Sequence, residues 1–198
     1  MTTQIEASDL VGAVAGLVPG SPLAEARGSR AVARDQIQAA ESALFTRGTA
    51  TIPRRDRLIV GAFAAALTDP DGALAVHRVG QLADADAALV DRLVDSGAQQ
   101  GPWGSYREPG LIHESIPGQA WTVPERERAE LGAALSAVLE HAHLLLLHPR
   151  DARPGSLQTL VDVGWGRSDI VTWSQLISFA AFQARLAAGL AVTQEALT

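Results

Sequence analysis

An all-α protein, a helical bundle built from two related helical units, is what this chain of 198 residues predicts. Apolar residues recur at helical spacing through most of the chain, and no run alternates as a strand does. Glycine or proline stands where one periodic segment gives way to the next. With 47% hydrophobic and 19% charged residues, the chain is long enough for one sizeable core.

The elements follow in order. A short helix is expected over 8–18, stopped by Pro19-Gly20, and a longer one over 30–47, ended by Gly48. The next opens at Pro53, whose missing N–H costs nothing in a first turn, and runs RRDRLIVGAFAAAL. Asp69 can then cap, and Pro70 start, a helix through GALAVHRVGQLA, followed by another over 86–96 closed by Gly97. Residues 98–119, AQQGPWGSYREPGLIHESIPGQ, turn rich in Gly, Pro and polar side chains and read as a linker; a loop of that length is usually functional or joins two units. Thr122 and Glu125 have capping-box spacing and start a helix through HAHLLLLH to Pro149. PGSLQTLVDVG is a short helix ended by Gly164, and Ser168 caps the apolar helix DIVTWSQLISFAAFQARLAAGLAV.

Composition excludes several chemistries. The chain has no cysteine, which removes disulfides, thiolate nucleophiles, thiol peroxide reduction and Cys-ligated metals. All sixteen basic residues are arginine, so Schiff-base and P-loop lysine chemistry are absent too. A net charge of -6 with signs interspersed offers no basic stripe for nucleic acid. The opening MTTQIEASDL has no leader pattern and no apolar run approaches about 20 residues, so a cytoplasmic protein without membrane contact is expected.

The two sides of the linker resemble each other. Residues 52–67 read IPRRDRLIVGAFAAAL and residues 123–138 read VPERERAELGAALSAV; downstream His77 aligns with His148, and LVDSG with LVDVG. Three matches in one order predict an internal duplication: units at about 30–97 and 120–192 within one domain, 1–198.

That order, with GWGRSDIVTWSQLISFAAFQARLAAGL at the end, resembles the AhpD-like, or carboxymuconolactone decarboxylase, superfamily, closest to its double-repeat, peroxidase-related branch. The resemblance covers most of 30–190 and implies an all-helical homo-oligomer of two to six copies. Many members reduce hydroperoxides through C-x-x-C-x-x-x-H fed by an upstream glutamate. With His77 as the motif histidine, the cysteine positions fall on Pro70 and Ala73, and the glutamate position near Arg57 or Leu58. Only the histidine survives, so the resemblance implies a protein that is not a thiol peroxidase. The superfamily's cysteine-free decarboxylase branch leaves acid/base chemistry open.

Two candidate sites follow. The resemblance places His77 at the active pocket, near Asp69, Asp71, Arg55 and Arg57 in sequence. There His77 acts as acid or base with Asp69 and Arg57, while Arg55 and Trp103 hold a small, anionic substrate in a lyase, isomerase or hydrolase reaction. The alternatives are an ordinary packed histidine and a non-catalytic binding relative. The other candidate is HAHLLLLHP, 141–149. At about 100° per residue, His141 and His148 share one edge of the stripe Leu131, Leu135, Val138, Ala142, and His143 points to the opposite, solvated flank. Three imidazoles on this helix therefore do not converge, and a metal would need His77, Glu140 or His113 from elsewhere; no metal or other cofactor is expected. Trp121, Trp165, Trp173 and Tyr106 are pocket or interface residues, or core plugs in the case of Trp165 and Trp173.

Overall fold

The computed structural model describes residues 9–99, 101 and 103–197. The expected leader-free start, the helix start at Ser8, and Gln100 and Pro102 of the linker lie outside them. Among the described residues the chain forms nine α-helices and no strand: α1 Leu10–Val14, α2 Pro22–Ser29, α3 Ala31–Glu41, α4 Arg54–Thr68, α5 Ala73–Val79, α6 Asp84–Gly97, α7 Glu125–Leu147, α8 Pro154–Asp162 and α9 Arg167–Ala196.

The bundle is organised around α4. Every residue from Arg57 to Ala66 is buried, because IVGAFAAA offers small and apolar side chains on all faces. Helices α5, α6, α7 and α9 pack around it. Ile52 and Val123, the apolar residues just before Pro53 and Pro124, are both buried, and those prolines stand at the N-caps of α4 and α7. Gly61 lets α4 approach the turn of π-helix at Ser42–Arg47, since a Cβ there would run into the Phe45 ring. Gly61→Val is therefore expected to destabilise the protein by about 1–3 kcal/mol through overpacking. Urea denaturation measures it, and an unchanged midpoint would show that Phe45 yields freely.

Several local expectations are corrected. The helix expected over 30–47 leaves the α-helical path at Ser42, and α2 precedes it unforeseen. Asp69 is the C-cap of α4 rather than an N-cap; α5 starts after Gly72 and stops at Val79. The Thr122–Glu125 capping box does not form, because α7 begins after Pro124 and Glu140 reaches back to accept the Val123 N–H at 2.9 Å. Gly166, not Ser168, precedes α9. Helix α7 is also kinked at Gly132, φ 79°, so the stripe continued through Leu131 changes phase there.

By length and composition α7 and α9 could each span a membrane, contrary to the sequence reading, but both supply the core: half of the apolar window of α7 and 39% of that of α9 are buried in the bundle. Trp173 is fully buried and meets half-buried Trp165 edge-on, with ring centroids 5.4 Å apart, as core plugs do.

Candidate functional site

The residues grouped around His77 are not brought together. Arg57 and Asp69 lie at opposite ends of α4, twelve residues or about 18 Å apart along the axis. The buried Arg57 guanidinium rests on Gly48, whose φ of 60° excludes a side chain there, and donates to the Leu44 carbonyl at 3.0 Å; it closes the π-helical turn. Arg55 forks onto Asp86 in the first turn of α6. The Asp69 carboxylate folds over Gly72, and Asp71 is exposed.

His77 is half-buried, and its Nε2 lies 2.7 Å from the Gln81 amide nitrogen, which donates, so Nε2 accepts. Burial, then the neighbouring Arg78 cation, lowers its pKa against the pull of Glu41. A groove of about 490 Å³ does run beside α5, between α4 and α6, and Pro70 lines it. Helix α5 turns Ala75, Val76, Val79 and Gly80 into that groove, which leaves His77 roughly 130° round the helix and outside it.

The residue beside His77 has the stronger partners. Arg78 is fully buried and donates through Nη1 to Glu41 Oε1 at 2.8 Å and through Nη2 to Glu41 Oε2 at 2.5 Å. Nη2 also donates to Gln183 Oε1, and the guanidinium lies 3.6 Å over the Phe45 ring. This ties α3, α5 and α9 together in an ion pair enclosed by protein.

Chemistry converges instead where α7 ends. Five rings form a ladder from the core to the linker: Phe63, Trp121, His143, His148 and Trp103. Phe63 and Trp121 stack at 5.3 Å, and Trp121 and His143 at 5.2 Å. His143 meets His148 at 5.3 Å, and His148 meets Trp103 at 5.0 Å. The expectation of a solvated His143 is corrected: the residue is 1% exposed. A helical wheel extended through His148 fails because α7 stops at Leu147; His148 leaves the helix at φ -129°, ψ 39°, and its ring swings back beside His143. His141 stays apart, its Nε2 against Ser174 Oγ at 3.1 Å. His113 is exposed on the linker beside Glu114.

Hydrogen bonds fix the protons. The Gly97 carbonyl, at the end of α6, can only accept, so His143 Nε2 carries the hydrogen that meets it at 3.0 Å. The Trp103 indole can only donate, so His148 Nε2, 2.5 Å away, is an unprotonated acceptor and its hydrogen sits on Nδ1. Nδ1 points at Asp151 Oδ2, 3.8 Å away. Burial lowers both imidazoles, His143 to about 4 despite the Gly97 bond, and His148 against the pull of Asp151, so both are neutral at pH 7.

A pocket of about 150 Å³ opens on this ladder, lined by Trp121, His143, His148, Glu140, Asp151 and Gly118. The backbone returns over Trp103 at Gly118, where any Cβ would land in the indole. Glu140 is held by Arg128 and Val123 N–H, and Asp151 by Ser105 N–H. The Arg150 guanidinium, next in sequence to Asp151, lies over the Tyr106 ring. None of His77, Asp69, Arg57, Arg55 and Trp103, the candidates read from the sequence, lines this pocket; Trp103 comes nearest, through its bond to His148. Asp151 and Gly118 were missed; the one signal was their place next to His148 and in the linker.

These features define an all-helical bundle with a paired-imidazole pocket, one imidazole of which is bonded to a linker tryptophan. Over 135 residues the chain is 34% identical to the 1D-myo-inositol 2-acetamido-2-deoxy-alpha-D-glucopyranoside deacetylase of Streptomyces griseus, covering 66% of this chain and 37% of that enzyme. The chain thus spans little more than a third of that relative's length. No family model matches the chain, and no solved structure does.

Proposed function

We propose that the chain is a cysteine-free protein of the AhpD-like, carboxymuconolactone decarboxylase type, which binds a small molecule in the His143–His148 pocket and moves a proton on it through His148. The helical bundle and the shared proline starts of α4 and α7 support the family and its internal duplication. The observation that carries the function is the state of His148. His148 lines a cavity, its unprotonated Nε2 accepts an exchangeable indole N–H, and its Nδ1–H faces a carboxylate. His148 thus takes the role that the resemblance gives to its sequence counterpart His77, which lies outside the groove beside α5 and whose Nε2 is bonded to Gln81.

A substrate with an acidic C–H or O–H would displace the Trp103 indole and give its proton to Nε2. Asp151, 3.8 Å away, would close on Nδ1–H as the ring becomes cationic. Neutral His143 adds no charge to oppose that step. The volume suits a small lyase, isomerase or hydrolase substrate, and the partial likeness to a deacetylase adds N-acetylated amino sugars to the compounds worth testing. Cytoplasmic location and assembly into a homo-oligomer of two to six copies belong to the same reading; sedimentation tests the latter.

The test screens small lactones, carboxylates and N-acetylamino sugars by NMR against the parent, His148→Gln and Trp103→Phe. For a compound that is turned over, His148→Gln is expected to lower the rate about 10²–10⁴-fold. Trp103→Phe, lacking the competing N–H, is expected to raise the His148 pKa. Equal turnover by His148→Gln overturns the reading. Binding in the pocket without turnover of any compound supports the alternative, a non-catalytic binding protein on the same fold.

A further inference from the structure

Helices α2 and α3 and the second half of α9 line an open groove of about 460 Å³. Its walls are apolar: Leu23 and Ile37 on one side, and Phe182, Leu186 and Leu190 on the other. The last three recur every four residues and form one stripe on α9, in which Phe182 is 44% exposed. Ala26 and Ala33, lining the same groove, are too small to fill it.

Three arginines edge this surface: Arg27, Arg30 and Arg34. Arg27 is neutralised by a two-pronged bond to Asp9, and Arg34 by Asp35 beside it. Arg30, at the junction of α2 and α3, forms no side-chain hydrogen bond or ion pair among the described residues. An acidic chain of net charge -6 has here an apolar groove edged by a cation, Arg30, that is unmatched among the described residues. A ligand that complements both is apolar along its length and carries a single negative charge at one end. Pockets for small molecules combine an apolar lining with a few polar groups in this way, at volumes of about 300–1,000 Å³.

We propose that this groove binds the anion of an unbranched acyl-chain carboxylic acid, with the chain along Phe182, Leu186 and Leu190 and the carboxylate on Arg30. The site lies on other helices than the His143–His148 pocket and does not depend on it. A guanidinium can take a carboxylate through two parallel N–H bonds, which an alcohol cannot satisfy.

Calorimetric titration of the full chain with dodecanoate, below its micelle concentration, is expected to show one saturable site. Dodecanol should bind about tenfold more weakly, and Arg30→Gln should weaken dodecanoate to a similar degree while leaving dodecanol unchanged. Ala33→Trp should fill the groove and abolish both. Circular dichroism and melting confirm that each variant folds, and turnover at His148 serves as an independent control. Three results overturn the proposal: equal binding of acid and alcohol, unchanged dodecanoate binding by Arg30→Gln, or no saturable site. So does dissociation of an oligomer by Ala33→Trp without loss of a dodecanoate site, which would make the groove a contact between copies.

Discussion

Arg78→Ala is expected to cost about 3–5 kcal/mol of stability, because it leaves Glu41 and Gln183 enclosed without their cation. Glu41 is only 8% exposed, so water cannot replace the lost bonds. The loss also removes the guanidinium from the Phe45 ring, at the point where α3 turns into its π-helical segment. In a protein of this size such a change lowers the melting temperature by roughly 10 °C. Replacing the pair together, Arg78→Met with Glu41→Leu, is expected to recover much of the loss, since apolar side chains leave no charge stranded. Thermal and urea denaturation read both variants. A loss under about 1 kcal/mol for Arg78→Ala would mean that the ion pair opens to water.

Acid should weaken the fold well above the range in which carboxylates titrate. His143 is held at about 4 in the folded protein, against an ordinary value near 6.5 in the unfolded chain. Between those values the unfolded state binds a proton that the folded state refuses, so stability falls as pH drops from about 6.5 toward 4. The shift corresponds to about 3 kcal/mol from this residue alone. His141 and His148 are lowered chiefly by burial, as is His77, and act in the same direction. Asp56, raised by burial, acts in the opposite one, so the informative comparison is between the parent and a His143 variant. His143→Phe keeps a ring against Trp121, gives up the Gly97 bond, and should flatten the dependence measured by urea denaturation from pH 7 to 5. An unaltered slope would assign the acid sensitivity to other groups.

Both predictions rest on residues that the sequence showed without their meaning. IPRRDRLIVGAFAAAL announces α4 directly, since an apolar run after proline with helix-forming residues has one local solution, and α9 is legible in the same way. DGALAVHR drew attention to His77, yet its neighbour Arg78 forms the buried pair, with partners thirty-seven and one hundred and five residues away. Nothing local marks Glu41 or Gln183 as those partners. HAHLLLLHP was read with the right helix and the wrong end: periodicity predicts side-chain direction only while the helix lasts, and α7 stops one residue before His148. The linker was legible as a break in composition, but its return over Trp103 depends on Gly118 meeting the indole.

The sequence by itself determined the all-helical class, most of the helices in chain order, and the exclusion of thiol and lysine chemistry, because periodicity and composition act locally or by absence. The tertiary structure alone decided which polar groups meet. It moved the candidate for acid/base chemistry from His77 to His148, stacked Phe63, Trp121, His143, His148 and Trp103 in one ladder, and left Arg30 without a carboxylate among the described residues. Each of those outcomes depends on how helix ends and loop returns fall against one another, and a distance between side chains far apart in the chain is set only when the whole bundle closes.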